Sequence, residues 1–179
     1  MRRPAYVAIA LALVSGVLAA VTLAGGAAAD DDDHGGHRLH ANLKGENEVP
    51  GPGAPGGASG FARVEIKPGH GTVCFNLRWE EISPPTAAHI HAGTEAEAGP
   101  IVVGLFMTSE SPDQPPTLPD TITAVKGCSH HVTLPPDAPF DSPEALLRNI
   151  VRNPHQYYVN VHTLDFPAGA IRGQLKKSH

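Results

Sequence analysis

Glycine and proline interrupt this chain so often that long helices are excluded from most of it. The sequence contains 19 Gly and 18 Pro, and each of these residues tends to end a helix. Between them lie short segments in which apolar and polar residues alternate, which is the pattern of half-buried strands. A length of 179 residues suits one domain with a targeting segment. We therefore expect an all-β domain.

The first thirty residues have the layout of a secretory signal peptide. An Arg pair precedes an apolar stretch from Tyr6 to Leu23, and small residues lead from there to Asp30. This arrangement predicts a signal peptide over residues 1–29, with cleavage after Ala29. An uncleaved membrane anchor is the alternative, because the stretch approaches a spanning length. After cleavage we expect no membrane association, and the chain would be secreted or held in the cell envelope.

Two further features concern the exported part of the chain. Residues 30–37, DDDDHGGH, contain no apolar side chain, and we predict a disordered acidic leader ahead of a domain over residues 38–176. Cys74 and Cys128 are the two cysteines. An exported chain enters an oxidising compartment, so we predict a disulfide between them. Two separate buried thiols are the alternative.

The strand and helix signals follow one another closely along the domain. Asp141 and Ser142 followed by a proline are typical of a helix start, and we predict one short helix near residues 142–152. We expect Ser59–Ile66 and Thr72–Trp79 to form a hairpin. About seven or eight strands predict a Greek-key β-sandwich or barrel, with strands at Arg38–Leu43, Ser59–Ile66, Thr72–Trp79, Ala88–His91, Pro100–Phe106, Thr121–Val125, Tyr157–His162 and Ala170–Leu175.

Histidine is the most unusual residue in the composition, with 11 in the chain. His89 and His91 lie two positions apart, so an extended strand would point both rings to one face, about 7 Å apart. Imidazole suits copper and zinc, and His162 in a late strand is the best third ligand. The alternative is that these histidines are structural and bond to backbone carbonyls. Weaker candidates are His40, His130 and His131.

Polar residues also occur inside two late, otherwise apolar strands. Asn160 lies in the first of them, and Arg172 and Gln174 lie in the second. These side chains would either bind an anionic ligand or join the two strands by cross-strand contacts. We favour the structural interpretation.

Five stretches of the chain together resemble the CHRD domain family. They are residues 43–50 (LKGENEVP), 88–93 (AHIHAG), 99–102 (GPIV), 158–163 (YVNVHT) and 169–175 (GAIRGQL). Their order and spacing agree with the family over roughly residues 38–176. The resemblance implies an all-β extracellular domain without an established activity. The sequence departs from the family at Ala170, where a Glu is usual, so a buried pair between that acid and an arginine would be absent.

The His89-Ile90-His91 segment is also similar to the copper-binding strand of the Cu/Zn superoxide dismutases, which are β-sandwiches. His162 would correspond to the late copper ligand. The resemblance leaves two alternatives for the fold, dismutase-like or immunoglobulin-like. The segment after His91 contains no histidine, so the zinc ligands of those enzymes are missing, and dismutase chemistry ranks last among the functions considered.

The remaining sequence signals favour a binding or structural module over an enzyme. There is no G-x-S-x-G motif, and neither cysteine has a His-paired context. A net charge of −5 argues against a nucleic-acid partner. We therefore expect a secreted, non-enzymatic module whose partner is an extracellular protein or a small ligand. The alternative is a copper- or zinc-binding protein that uses His89, His91 and His162.

Overall fold

The computed structural model describes residues 35–108 and 117–178. The predicted signal peptide and residues 30–34 of the predicted acidic leader lie outside the described residues. Among those residues, no helix is long and apolar enough to span a membrane.

Nine antiparallel strands and one α-helix make up the described domain. Helix α1 covers Pro143–Arg152, where the sequence predicts it, and the Ser142 side chain accepts a hydrogen bond from the backbone nitrogen of Ala145 at 3.2 Å. The strands are β1 His37–Lys44, β2 Ser59–Lys67, β3 Thr72–Glu80, β4 Pro85–Ala92, β5 Ile101–Met107, β6 Ala124–Ser129, β7 Tyr157–Thr163, β8 Ile171–Gln174 and β9 Lys176–Lys177.

The strands form one sheet in the order β5-β4-β7-β8-β1-β2-β3-β6, and β9 pairs with β1. The two ends of the sheet approach each other where Val103 of β5 bridges to Val132, just after β6. Beside this bridge the Gly104 nitrogen donates to the His131 carbonyl at 2.9 Å. The sheet is therefore a nearly closed barrel, which confirms the predicted all-β class with one short helix.

The core occupies the inside of this barrel because the strands alternate between two faces. In β3, Phe75, Leu77 and Trp79 are buried, whereas Asn76 and Arg78 between them are exposed. Strands β2 and β3 form the predicted hairpin. Helix α1 adds three buried side chains to the same core, Leu146, Leu147 and Ile150.

The disulfide is confirmed, and two predicted boundaries are wrong. Cys74 and Cys128 are joined at an S–S distance of 2.09 Å and lie opposite each other in the β3–β6 pairing. The strand predicted at Thr121–Val125 is instead β6, Ala124–Ser129. Its side chains are mostly exposed, so no apolar alternation marks its position, and pairing with β3 sets it. His37, predicted to belong to the leader, begins β1 opposite Ile66.

Candidate metal centre

The candidate site lies on the outer face of strands β4 and β7. Ala88 and Ile90 of β4 belong to the core, so His89 and His91 point the other way. The pairing of the two strands places His89 opposite Asn160 and His162 opposite Ala87. These strands are buried on both faces, because loops cover their outer side.

The structure brings the three sequence-predicted histidines together. One ring nitrogen from each lies within 4.8 Å of the others. The ring centroids of His89 and His162 are 5.0 Å apart, and His91 lies 5.8 Å from His89 and 5.9 Å from His162. Each side chain is only 8–9% exposed. The triad is therefore a compact and almost fully buried group of imidazoles.

Backbone carbonyls define the protonation of two of these rings. His91 Nδ1 lies 2.9 Å from the Gly99 carbonyl, and His162 Nδ1 lies 3.0 Å from the Pro167 carbonyl. A carbonyl only accepts hydrogen bonds, so we assign the proton to Nδ1 in both rings, and Nε2 keeps its lone pair. Those two Nε2 atoms and His89 Nδ1 are buried without a hydrogen-bond partner. In metal sites a ligating imidazole usually donates its other ring N–H to a backbone carbonyl or a carboxylate in the same way.

The surroundings also favour the neutral form of each ring. Burial, with smaller contributions from His162 and His91, lowers the pKa of His89 to about 3. Burial lowers the pKa of His91 and of His162 as well, although their carbonyl partners act in the opposite direction. A metal binds only the deprotonated nitrogen, so the triad is ready to coordinate an ion at neutral pH.

The triad must contract before it can hold one ion. Metal–nitrogen bonds of about 2.0–2.1 Å at tetrahedral angles place two ligands of one ion about 3.4 Å apart. A pair of nitrogens at the 4.8 Å limit must therefore approach by about 1.4 Å. An all-imidazole set suits copper or zinc. Within residues 35–108 and 117–178, no other group of three potential ligands meets the same spacing.

A stack of side chains supports the triad on one side. The Tyr158 ring lies parallel to His91 with centroids 4.9 Å apart, and the Arg172 guanidinium carbon lies 3.6 Å from the Tyr158 centroid. Arg172 donates to the carbonyls of Glu97 at 3.0 Å and Thr94 at 2.8 Å. The buried arginine therefore ties strand β8 to the loop that covers the site.

The other two polar strand residues of the sequence analysis lie in the same region. Gln174 donates to the carbonyl of Gly93, at 2.6 Å, and to that of His155. Asn160 donates to Glu48 Oε2 at 3.4 Å. Asn160 is paired opposite Arg172, but the hydrogen bonds of all three side chains go to residues outside the two strands, and Asn160 Oδ1 is buried without a partner. Their contacts are structural, and loops rather than the opposite strand supply the partners.

Sequence reasoning missed Glu48, a buried acid beside Asn160. One oxygen of its carboxylate, Oε1, has no hydrogen-bond partner. Burial raises the pKa of Glu48 to about 7, although the charge of Arg172 and the bond from Asn160 lower it. A Cβ at Gly169 would lie 2.5 Å from Glu48 Oε2, so only glycine leaves room for the acid. The sequence signal for Glu48 was its place in the LKGENEVP stretch.

The acid that the family usually has at position 170 is absent, and Ala170 is fully buried. Glu48 is the acid whose charge interacts with Arg172 in this chain. The three weaker histidine candidates lie away from the triad. His40 stacks on Phe61 with centroids 6.0 Å apart, His130 bonds Thr72 Oγ1 at 3.2 Å, and His131 belongs to the segment that closes the barrel.

Comparison with known proteins identifies the family of the domain. The family model described as the CHRD domain matches residues 39–175. No curated protein and no solved structure gives a significant match. The matched residues include the three histidines, Glu48, Arg172 and both cysteines, and they cover well over half of the chain. The chain therefore belongs to the CHRD domain family.

Proposed function

We propose that this chain is an exported, non-enzymatic binding module that holds one copper or zinc ion through His89, His91 and His162. Two observations carry the proposal: the three buried imidazoles have ring nitrogens within 4.8 Å of one another, and one nitrogen of each ring is buried without a hydrogen-bond partner. Leaving a buried polar atom without a partner costs about 1–3 kcal/mol. A single ion would satisfy all three nitrogens together.

An internal water molecule is the ordinary alternative partner for such atoms. A water can donate to the free Nε2 atoms of His91 and His162 and accept from His89 Nδ1 when that nitrogen carries the ring proton. A bound ion instead requires His89 Nδ1 to be deprotonated, so metal analysis separates the two. Cu²⁺ should bind this site more tightly than Zn²⁺, because the Irving–Williams order gives copper the higher affinity for a given set of ligands.

Export is supported by chemistry outside the triad. The Cys74–Cys128 disulfide suits an oxidising compartment, and the N-terminal sequence has the layout of a signal peptide. Arg172 and Gln174 donate their hydrogen bonds to loop carbonyls and so are not free to contact a substrate. This favours a metal-binding site without catalytic activity. Dismutase-type redox activity is the second candidate, since three protein ligands leave one position of the ion open.

Metal analysis of untagged protein, followed by calorimetric titration of the metal-free protein with Cu²⁺ and Zn²⁺, tests the proposal. We expect one ion per chain in the wild type and at least a hundredfold weaker binding after His89→Ala or His162→Ala. The control is His155→Ala, which removes an exposed histidine and should keep full affinity. Unchanged affinity in His89→Ala would overturn the site. Rapid superoxide consumption by the copper-loaded protein would favour the redox function instead.

A further inference from the structure

The outer face of strands β1, β2, β3 and β6 concentrates positive charge in an acidic protein. The net charge of the chain is −5, yet the four strands direct only two acids outward on this face, Glu65 and Glu80, and a third, Glu46, pairs with Lys44 at its edge at 2.8 Å. The described residues contain eleven Lys and Arg. Six of them point outward on these four strands, namely Arg38, Lys44, Arg63, Lys67, Arg78 and Lys126: the first five alternate with buried residues, and Lys126 is exposed opposite Asn76. We call these six residues the cationic face.

Strand pairing separates these charges by neutral side chains. Arg63 of β2 lies between His40 of β1 and Asn76 of β3 in the sheet register, and Lys126 of β6 follows Asn76. Arg78 of β3 lies opposite Phe61 of β2, and neighbouring strands are about 4.8 Å apart. The cations are therefore spaced across four strands with neutral groups between them, and the Cys74–Cys128 disulfide joins two of those strands on the same face.

Phe61 holds two of the arginines in place at the centre of this face. The guanidinium carbons of Arg63 and Arg78 lie 5.6 Å and 5.2 Å from the centroid of its ring. Among the described residues, neither arginine forms a salt bridge with a carboxylate. Stacking on a ring restricts the guanidinium groups before a ligand arrives, so less conformational entropy is lost on binding. The pair is thus arranged to receive an anion.

A groove of about 730 Å³ runs along the same surface. Its walls are mainly apolar, and the exposed amides of Asn42 and Asn76 line it together with Arg38 and Arg63. Arg78 lies outside the groove and reaches it across the Phe61 ring, which is part of the wall. Glu65 also lines it, with its charge partly balanced by Lys67 Nζ at 3.6 Å. Guanidinium groups bind carboxylate or sulfate through paired hydrogen bonds, and amides suit hydroxyl groups.

We propose that the cationic face binds an acidic polysaccharide, with Arg63 and Arg78 holding its carboxylate or sulfate groups and the asparagines contacting its hydroxyls. The alternation of charged and neutral polar groups matches a chain that carries both. Nucleic acid and anionic membranes present phosphate groups instead of this combination of carboxylates and hydroxyls, and both are outcomes of the test below. This site is separate from the histidine triad and does not depend on a metal.

Titration of the purified protein with alginate, a polyuronate, tests the proposal in the presence of EDTA. We expect saturable binding to alginate and none to dextran, a neutral polysaccharide. The double variant Arg63→Gln/Arg78→Gln should bind roughly tenfold more weakly. The slope of log affinity against log salt should fall by about two, because two fewer counterion-releasing contacts are made.

The matched control is Arg148→Gln/Arg152→Gln on helix α1, which changes the net charge equally and should leave alginate binding unaltered. Phe61→Leu keeps every charge and should weaken binding several-fold by releasing the arginines. Thermal melting of each variant separates loss of fold from loss of site. Equal weakening in the control pair, or unchanged binding in the double variant, would overturn the proposal. Tighter binding to duplex DNA or to phosphatidylserine vesicles than to alginate would also overturn it.

Discussion

Replacing His89 by leucine should change the stability of this protein in opposite directions with and without metal. His89 is 8% exposed, its Nδ1 is buried without a partner, and within the described residues its ring makes no hydrogen bond. A buried polar atom without a partner costs about 1–3 kcal/mol. Leucine fills a similar volume without that cost. In chelator, we therefore expect His89→Leu to be as stable as the wild type, or more stable by up to that amount.

With metal present, the order of stability should reverse. A ligand at a thousand times its dissociation constant stabilises the folded state by about 4 kcal/mol. In a domain of this size, each kcal/mol shifts the melting temperature by roughly 3–4 °C. Excess Zn²⁺ should therefore raise the melting temperature of the wild type by about 12–16 °C. His89→Leu retains only two of the three ligands and should show little of this shift.

Differential scanning calorimetry in EDTA and in excess Zn²⁺ measures both effects on the same samples. His155→Leu is the matched control, because it makes the same chemical change at an exposed position and should behave like the wild type in both conditions. The reasoning is refuted if His89→Leu keeps the full zinc-induced shift. It is also refuted if the chelated variant is much less stable than the wild type, since His89 would then have a partner that stabilises the fold.

Two other predictions concern groups outside the triad. The pKa of Glu48 is about 7 in the folded protein, against its ordinary value of 4.5, so the folded protein binds this proton more tightly than the unfolded chain does. As the pH rises from 4.5 to 7, the free energy of unfolding should therefore fall by up to about 3 kcal/mol. Urea unfolding measures the free energy of unfolding at pH 5 and at pH 8. Its decrease between the two should be smaller for Glu48→Gln than for the wild type or for Glu95→Gln, the control at an exposed position. An equal decrease in Glu48→Gln would show that Glu48 does not have the raised pKa. Replacing Cys74 and Cys128 by serine removes the disulfide, which joins residues separated by 54 positions in the sequence. The free energy of unfolding should fall by about 4 kcal/mol in the chain-entropy model. A loss below about 1 kcal/mol in the same urea experiment would show that β3 and β6 are held by their pairing alone.

Much of the fold could be predicted because the signals are local. Alternating residues such as Leu77 and Arg78 report directly which side of a strand faces the core, since the pleat has a period of two. The same period places His89 and His91 on one face from sequence alone. Strand β6 shows where this reasoning fails, because its side chains are mostly exposed and carry no apolar pattern. Its position depends on the hydrogen bonds and the disulfide that join it to β3.

The candidate site required contacts between residues distant in the chain. His162 meets the histidine pair only because β4 and β7 are neighbours in the sheet, and a pattern along one strand cannot select its neighbour. The free nitrogens are known only from the carbonyls of Gly99 and Pro167, which loops bring behind the rings. Glu48 reaches the site from another loop. The sequence by itself determined the all-β class, the side of β4 that carries the histidines and the CHRD resemblance. The tertiary structure decided which polar groups meet, because long-range pairing and loop packing, which bring them together, leave no periodic trace in the sequence.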